Sequence, residues 1–189
     1  MYLDTVKAEL ASGWPSSMLP LSKLTLIGGK CRLNTARRNY AEELKYVAHI
    51  GSGAIVRAFA KVQREKFLGP GPWRIAWGEK GWITEDNDPK HLYHNILVAI
   101  DPARGLNNGQ PGFLASLMDA LELKAGEHMA HIGCGTGYYC AILAEVVGKK
   151  GRVTAVEIDQ KLAARAKRNS PAKPPALPER IEAVLQLRD

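Results

Sequence analysis

The sequence predicts an α/β fold built on a parallel sheet, with a helical segment before it. Residues 124–169 follow the order strand, glycine-rich turn, helix, strand, helix, which is how many parallel sheets begin. An apolar fraction of 46% across 189 residues is enough to bury a core and excludes wholesale disorder. Prolines interrupt residues 170–189, where further strands of such a sheet would follow. The sheet is therefore predicted to be incomplete.

The chain before this core divides into two parts. Residues 1–35 contain short apolar stretches broken by Pro and Gly, so a poorly ordered leader is expected there. Residues 36–123 form an N-terminal helical region, because apolar side chains recur at helical spacing from Arg37 to Lys66. The predicted organisation is a leader (1–35), a helical region (36–123), a ligand-binding βαβ core (124–169) and a proline-rich tail (170–189).

Shorter segments are predicted from local patterns. Ser52 is expected to cap a helix, since it follows Gly51, which ends the preceding one. The apolar run from Asn95 to Ile100 fits either a buried strand or a helix segment. Residues 179–187 are expected to form one short helix. After a polar loop at residues 105–111, an amphipathic helix is predicted, with Phe113, Leu114, Leu117, Met118 and Leu121 on its apolar face.

Composition restricts the class of partner and of compartment. The formal net charge is +7, but the basic tail has no aromatic residue to stack on bases, so nucleic acid is not the expected partner. No apolar run approaches the roughly 18 residues of a membrane span. The N-terminus lacks the order of a signal peptide, and the three cysteines lack the spacing of a disulfide framework. A cytoplasmic protein without a membrane partner is therefore expected.

A metal site is suggested by one spacing but is not predicted. His128, His131 and Cys134 form a His-x-x-His-x-x-Cys pattern, and Cys140 follows six residues later. A strand, a turn and a helix would separate these four side chains, so they do not form a tetrahedral set.

The glycine-rich turn at residues 133–137 indicates the ligand chemistry. Gly133 permits a tight turn, Gly135 allows a ligand to approach the backbone, and Gly137 allows helix and strand to pack closely. The N–H groups at the helix start favour a negative ligand group. Glu157 ends the next strand, where a carboxylate accepts hydrogen bonds from both hydroxyls of a ribose. Because the turn lacks the wider Gly-x-Gly-x-x-Gly spacing of NAD sites, it favours S-adenosylmethionine.

Two stretches resemble the protein-L-isoaspartate O-methyltransferase family. Residues 127–157 are similar to the first cofactor motif of that family. Arg57 to Phe67 is similar to its segment containing Val-Pro-Arg-x-x-Phe, with Gln63 in place of proline. The resemblance covers roughly residues 37–169 and implies a Rossmann-like class I methyltransferase fold with S-adenosylmethionine as cofactor. It also implies methyl transfer to isoaspartyl carboxylates of damaged proteins or peptides, with residues 36–123 on the substrate side.

The resemblance also implies the residues of the site. The family has a Gly-Gln-Thr-x-Ser-Gln-Pro loop, in which Asn107 stands at the threonine position and Gly109 at the serine position. Amides therefore replace the hydroxyls that contact substrate, and the candidates for catalytic contacts are Asn107, Asn108 and Gln110. The implied cofactor-binding residues are Ile132, Gly133, Cys134, Gly135, Thr136, Gly137, Tyr139, Glu157 and Ile158.

The implied reaction needs few catalytic side chains. An isoaspartyl carboxylate is already an anion near neutral pH, so its attack on a sulfonium methyl needs no general base. Catalysis then depends on in-line positioning and exclusion of water. Two other functions stay open: a non-catalytic, truncated methyltransferase fragment, and a methyltransferase acting on RNA or a small molecule. For the chain as given, we expect an unpaired outer edge of the second strand, weak cofactor binding, low solubility or self-association, and little or no methyl transfer. Alternatively, residues 1–35 or a partner chain would supply the missing strand.

Overall fold

The computed structural model describes residues 21–76, 81–169 and 181–185. The chain divides into two compact units, residues 1–33 and residues 34–189. Helix α1 (Leu21–Val47) begins in the first unit, so the leader expected over residues 1–35 is helical from Leu21 onward. No proline interrupts residues 21–47, which leaves the helical hydrogen bonds intact through Gly28 and Gly29. The remainder of that leader, residues 1–20, lies outside the described residues.

Two short helices follow α1 in the second unit. They are α2 (Gly53–Lys61) and α3 (Glu65–Leu68). Ser52 occupies the N-cap position of α2 as predicted, but its side chain makes no capping bond. Asp119 caps the helix instead, because its two carboxylate oxygens accept the N–H groups of Gly51 (2.9 Å) and Ser52 (2.8 Å). A negative charge at this end also suits the helix dipole.

A small antiparallel sheet of four strands follows the helices. The strands are β1 (Arg74–Ala76), β2 (Trp82–Ile83), β3 (Leu97–Asp101) and β4 (Leu106–Asn107), and their order in the sheet is β2-β1-β3-β4. Leu68, Trp73, Ile75, Leu92 and Val98 form its buried apolar core. The run from Asn95 to Ile100, which fitted a strand or a helix, forms strand β3. Short 3-10 turns lie at Pro89–Leu92 and Pro102–Arg104.

Helix α4 (Pro111–Ala120) differs from its predicted orientation. Met118 is buried, but Phe113, Leu117 and Leu121 are exposed by 60%, 49% and 56%. The buried face instead includes Gly112 and Ala115, small residues that allow a close approach of neighbouring elements. Apolar residues occupy more than one face of this helix, so spacing alone does not identify the buried face.

The predicted strand, turn, helix, strand and helix of residues 124–169 are confirmed. The elements are β5 (His128–Ile132), α5 (Tyr138–Val147), β6 (Arg152–Glu157) and α6 (Gln160–Asn169), and they are followed by β7 (Ile181–Leu185). The three strands form a parallel sheet of order β5-β6-β7. Val153 and Ala155 of β6 are buried. The fold is therefore α/β, with helices before the parallel sheet.

Strand β7 corrects two expectations for the tail. Residues 181–185 form a strand rather than a helix, because their apolar, partly β-branched sequence gains a full ladder of hydrogen bonds beside β6. The prediction of an unpaired edge on the second strand, β6, is therefore wrong. Among the described residues, β5 and β7 are the edge strands of this sheet, each with one neighbouring strand. Ile132 at its end is 80% exposed. Within the same residues, no helix combines the length and the apolar character that a membrane span requires.

Candidate functional site

The glycine-rich turn joins β5 to α5 with a left-handed backbone at three positions. The φ angles of Gly133, Gly135 and Gly137 are +75°, +57° and +89°. A Cβ atom added at Gly137 would lie 3.3 Å from Ala166 of α6, so this glycine permits close helix packing. A Cβ atom added at Gly135 would meet nothing within 4 Å. The middle of the turn therefore faces open space.

The turn is anchored to the end of β6. The N–H groups of Gly133 and Cys134 donate to the carbonyl oxygen of Val156 at 2.8 and 3.1 Å. The Glu157 carboxylate is 7% exposed and accepts the N–H groups of Gly135 (2.7 Å) and Asp159 (2.9 Å). Glu157 thus has a defined position beside the turn, as the strand spacing predicted.

A cavity of about 230 Å³ lies between the glycine-rich turn and the loop at residues 107–109. Two separate parts of the fold, the parallel sheet and the end of the antiparallel sheet, supply its walls. It is lined by Ile100, Asn107, Asn108, Gly109, Leu114, His131, Gly133, Cys134, Gly135, Thr136, Tyr138 and Tyr139.

The structure brings most of the predicted site residues together at this cavity. Sequence reasoning did not assign His131 or Tyr138 to the site, although alternation along β5 places His131 on the same side as Met129, the more buried side of the strand. The predicted residues in the lining are Asn107, Asn108, Gly133, Cys134, Gly135, Thr136 and Tyr139, whereas Gln110, Ile132, Gly137, Glu157 and Ile158 lie outside it.

Two tyrosines at the start of α5 connect the walls of the cavity. The hydroxyl of Tyr139 donates to the carbonyl oxygen of Gly109 (3.0 Å), which ties the loop to the helix. Tyr138 packs edge-on against Phe59 and Phe67, with ring centroids 6.2 and 5.5 Å away. Burial raises the pKa of both tyrosines above the usual value for a phenol. Both are therefore neutral at physiological pH and do not act as anionic bases.

Behind the cavity lies Arg64, a fully buried guanidinium. Its Nη1 donates to the carbonyl oxygens of Leu92 (2.7 Å) and His94 (3.2 Å). Its Nη2 donates to the carbonyl oxygen of Ile96 (2.7 Å) and to Oδ1 of Asn108 (2.9 Å). All four acceptors are neutral, so none of these hydrogen bonds cancels the positive charge.

The charge of Arg64 reaches the cavity. Burial is the main influence on the pKa of Tyr138 and of Tyr139, and the charge of Arg64 opposes it by lowering both values. Arg64 also fixes the orientation of Asn108. Because a guanidinium only donates, the side-chain oxygen of Asn108 faces it. The buried Nδ2 of Asn108 has no hydrogen-bond partner among the described residues.

The cysteines and His131 form a second polar group at the turn. Nδ1 of His131 lies 3.2 Å from Sγ of Cys140, and Cys134 lines the cavity. Burial lowers the pKa of His131, so the imidazole is neutral at physiological pH. Over the described ranges, no group of three or more His, Cys, Asp or Glu side chains is placed to hold a metal ion.

Comparison with known proteins assigns this arrangement to a family. The sequence model of the Protein-L-isoaspartate(D-aspartate) O-methyltransferase (PCMT) family matches residues 36–175. The chain belongs to this family. A PCMT relative from Thermotoga maritima is 33% identical over 120 residues, which are 62% of this chain and 33% of the relative. One from Aeropyrum pernix is 31% identical over 134 residues, 71% of this chain and 45% of the relative.

Solved PCMT structures share the fold. A protein-L-isoaspartate O-methyltransferase superposes with a TM-score of 0.59 at 27% identity, covering 79% of this chain and 41% of that protein. A Plasmodium falciparum protein, solved in complex with S-adenosyl-L-homocysteine, superposes with a TM-score of 0.58 at 19% identity and covers 79% and 62%. The chain spans between 33% and 53% of the length of the curated PCMT relatives it matches.

The buried guanidinium yields a stability prediction. Replacing Arg64→Met leaves four oxygens, at two buried and two partly buried hydrogen bonds, without their donor, so we expect the free energy of unfolding to fall by at least about 3 kcal/mol. Urea unfolding followed by circular dichroism measures the loss. If Arg64→Met does not fold, Arg64→Lys keeps the charge with fewer donors and should show part of the same loss.

The matched control removes another basic residue of the same region. Lys61 forms an exposed ion pair with Glu145 (2.6 Å), and Lys61→Met should cost less than about 1 kcal/mol. Equal losses in the Arg64 and Lys61 variants would contradict the role assigned to Arg64.

Proposed function

We propose that the chain binds S-adenosylmethionine and transfers its methyl group to isoaspartyl carboxylates of proteins or peptides. The observation that carries the proposal is a fixed cation behind the cavity. Arg64 is buried, hydrogen-bonded to neutral oxygens and adjacent to the glycine-rich turn through Asn108 and Tyr138. A cavity with this potential favours an anionic acceptor. Membership of the PCMT family and the names of its relatives support the same reaction.

The residues present fit S-adenosylmethionine. The open space at Gly135 admits a ligand to the backbone, and the N-terminal end of α5 favours the ligand's carboxylate. Glu157, which the N–H of Gly135 holds beside the turn, would accept the ribose hydroxyls. Gly133, Cys134, Thr136, Gly137 and Tyr139 complete the proposed binding segment, with Ile132 and Ile158 at its borders. When bound, the cofactor supplies an electrophilic methyl on a sulfonium.

The loop residues would hold the acceptor. Asn108 presents an amide nitrogen that lacks a partner among the described residues, and a carboxylate is the acceptor it lacks. Arg64 fixes this amide and attracts the same charge. Asn107 uses its Oδ1 to accept the N–H of Gly109 (2.9 Å) and so shapes the loop, while Gln110 is exposed outside the cavity.

No base is required of the neighbouring side chains. His131 is neutral, Tyr138 and Tyr139 keep their protons, and the acceptor carboxylate is already ionised. The protein would position the acceptor and exclude water. We also propose a cytoplasmic location, which the free buried thiols of Cys134 and Cys140 support, since reducing compartments preserve them.

A second candidate is a binding module without methyl transfer. Among the described residues, the outer edge of β5 has no partner strand, and Ile132 is exposed beside it. Fewer residues would surround a ligand at such an edge than at a site that a further strand encloses. Binding of S-adenosylhomocysteine without turnover of an isoaspartyl peptide would favour this candidate.

The main experiment measures methyl transfer to an isoaspartyl peptide. The control peptide has the same sequence with normal aspartate, and we expect transfer to the isoaspartyl form alone. In this assay Asn108→Ala should raise the KM for the peptide at least tenfold, because the acceptor loses a buried hydrogen-bond donor. Its affinity for S-adenosylhomocysteine should stay unchanged.

The matched control for Asn108 is Asn87→Ala, an exposed asparagine outside the cavity. It should leave the KM unchanged. Equal KM values for the Asn108 variant and the wild type would remove Asn108 from the acceptor site. Absence of transfer by the wild type would reject the proposed activity.

The open space at Gly135 gives a test of cofactor binding. We expect Gly135→Ala to weaken S-adenosylhomocysteine binding at least tenfold in calorimetric titration, because the new methyl occupies the space for the ligand. Gly148→Ala is the control, since Gly148 also has a positive φ (+68°) and open space but lies at the far end of α5. Gly148→Ala is also strained, because Gly148 has φ +68° and ψ −168°, a backbone conformation that essentially only glycine adopts, so it controls for the cost of strain without a change at the cavity. Equal affinities of the Gly135 and Gly148 variants for S-adenosylhomocysteine would contradict the proposed position of the ligand at Gly135.

The proposed role of Glu157 has its own test. Glu157→Gln should weaken S-adenosylhomocysteine binding by about 1–3 kcal/mol, the scale of a charge-assisted hydrogen bond. Glu145→Gln removes a surface carboxylate on α5 and should have no effect on binding. Unchanged affinity in a folded Glu157 variant would exclude this carboxylate from the site.

A further inference from the structure

His131 is a side chain of the cavity that has no part in the proposed methyl transfer as described so far. It lies near the end of β5 and lines the cavity of about 230 Å³. Its Nδ1 lies 3.2 Å from Sγ of Cys140, which is in the first turn of α5. Cys140 is fully buried and does not line the cavity. The imidazole therefore lies between a buried thiol and the space for a ligand.

The contact with Cys140 determines which ring nitrogen carries the proton. Burial lowers the pKa of His131 more than the charge of Glu157 raises it, so the ring is neutral and has one N–H group. Cys140 is a free thiol, and its burial disfavours loss of the proton. A thiol sulfur is a weak acceptor, whereas the unprotonated nitrogen of a neutral imidazole is an ordinary one. The S–H group of Cys140 therefore donates to Nδ1, and the ring proton lies on Nε2.

The edge of the ring opposite Nδ1 carries Nε2. This edge faces away from Cys140 and toward the cavity, since His131 lines the cavity and Cys140 does not. Nε2 makes no hydrogen bond to the described residues, and it is open to solvent, in contrast to the buried Nδ2 of Asn108. The cavity therefore contains an N–H donor whose direction is fixed by the thiol behind it.

The carboxylate of S-adenosylmethionine is the group that suits this donor. An ammonium group only donates, so it gains nothing from a second donor. Adenine nitrogens accept hydrogen bonds but are neutral, and a hydrogen bond to an ionised acceptor is roughly twice as strong as one between neutral groups. The glycine-rich turn and the start of α5 lie beside His131 in the cavity lining, and their N–H groups favour the same negative group.

We propose that Nε2–H of His131, oriented by the thiol of Cys140, donates a hydrogen bond to the amino-acid carboxylate of S-adenosylmethionine. His131 is then a specificity contact for the amino-acid part of the cofactor, and Cys140 is a positioning residue that acts through it. This ligand contact rests on the proposed function, whereas the position of the ring proton does not.

A pair of ligands tests the contact in the full chain. S-adenosylhomocysteine has the carboxylate, and 5′-methylthioadenosine has the same nucleoside and sulfur without the amino-acid group. His131→Phe keeps an aromatic ring but has no N–H, so in calorimetric titration we expect affinity for S-adenosylhomocysteine to fall at least about tenfold. Affinity for 5′-methylthioadenosine should change less than about twofold. His131→Gln places an amide N–H near the position of Nε2 and should restore most of the loss.

The matched control is His128→Phe, on the same strand. His128 is exposed, points to the opposite side of β5 and does not line the cavity, so neither affinity should change. Equal losses for the two ligands in His131→Phe would place His131 at the nucleoside and overturn the proposal, as would unchanged affinity for S-adenosylhomocysteine.

Nuclear magnetic resonance tests the role of Cys140 without ligand. Long-range proton–nitrogen correlation spectra of the full chain, labelled with nitrogen-15 at histidine, should show the Nε2–H form of His131. Cys140→Ala removes the thiol donor and should give a mixture of the two ring forms, whereas Cys140→Ser keeps a donor and should preserve Nε2–H. An Nδ1–H form in the wild type, or the same spectrum in Cys140→Ala, would overturn the positioning role.

The same spectra decide the contact if His131→Phe does not fold. Addition of S-adenosylhomocysteine to the wild type should shift the Nε2 resonance of His131, and 5′-methylthioadenosine should shift it far less. Equal shifts would overturn the carboxylate contact. Failure of the wild type to bind S-adenosylhomocysteine would reject the proposed function, while the spectrum without ligand would still decide the pairing of Cys140 with His131.

Discussion

The buried guanidinium of Arg64 is the interaction on which the site depends. A charge removed from water is costly, and this one is stabilised by four hydrogen bonds and by the rings of Tyr40 and Tyr138, whose centroids lie 6.0 and 5.9 Å from Cζ. Three of the acceptors belong to residues 92–96, which have no regular hydrogen-bond ladder of their own before β3. One side chain therefore fixes both this irregular segment and Asn108 at the cavity.

The charge of Arg64 acts on the side of the cavity formed by Asn108. The tyrosines and the histidine of the cavity are neutral, and the Glu157 carboxylate acts on the opposite side, at His131 and Cys134. Such a site attracts and orients an anion without needing to remove a proton from it. Aromatic packing around Tyr138 keeps water away from the guanidinium and so preserves its effect.

The sequence allowed the glycine-rich turn and Glu157 to be predicted because local geometry determines both. Strand, turn and helix are contiguous, and Gly135 and Gly137 have the open space and close packing that their spacing indicates. The contacts of Arg64 were not predictable, since three of its four acceptors are backbone carbonyls, which carry no sequence signal. Strand β7 was missed because short apolar segments fit helix or strand until a neighbouring strand is known.

The exposed face of α4 was missed for a related reason. Phe113 and Leu117 satisfy a helical period, yet the helix is oriented by Asp119, which caps α2. Residues 21–35, which were expected to belong to a poorly ordered leader, continue the helix of the following segment because no proline interrupts it. In each case a long-range contact or the absence of a breaker decided the structure rather than hydrophobic spacing.

The two backbone hydrogen bonds accepted by Glu157 have a consequence for how a ligand would be received. An ionised carboxylate offers about four lone-pair sites, and here each oxygen has accepted one N–H group. Each oxygen therefore keeps one free site, and two diol hydroxyls need two. In the proposed binding mode, Glu157 would receive both hydroxyls while it keeps its hydrogen bond to Gly135, so the turn would not have to open. The same carboxylate would then hold the loop in the absence of ligand and bind the ribose in its presence, with the same two backbone hydrogen bonds in both states.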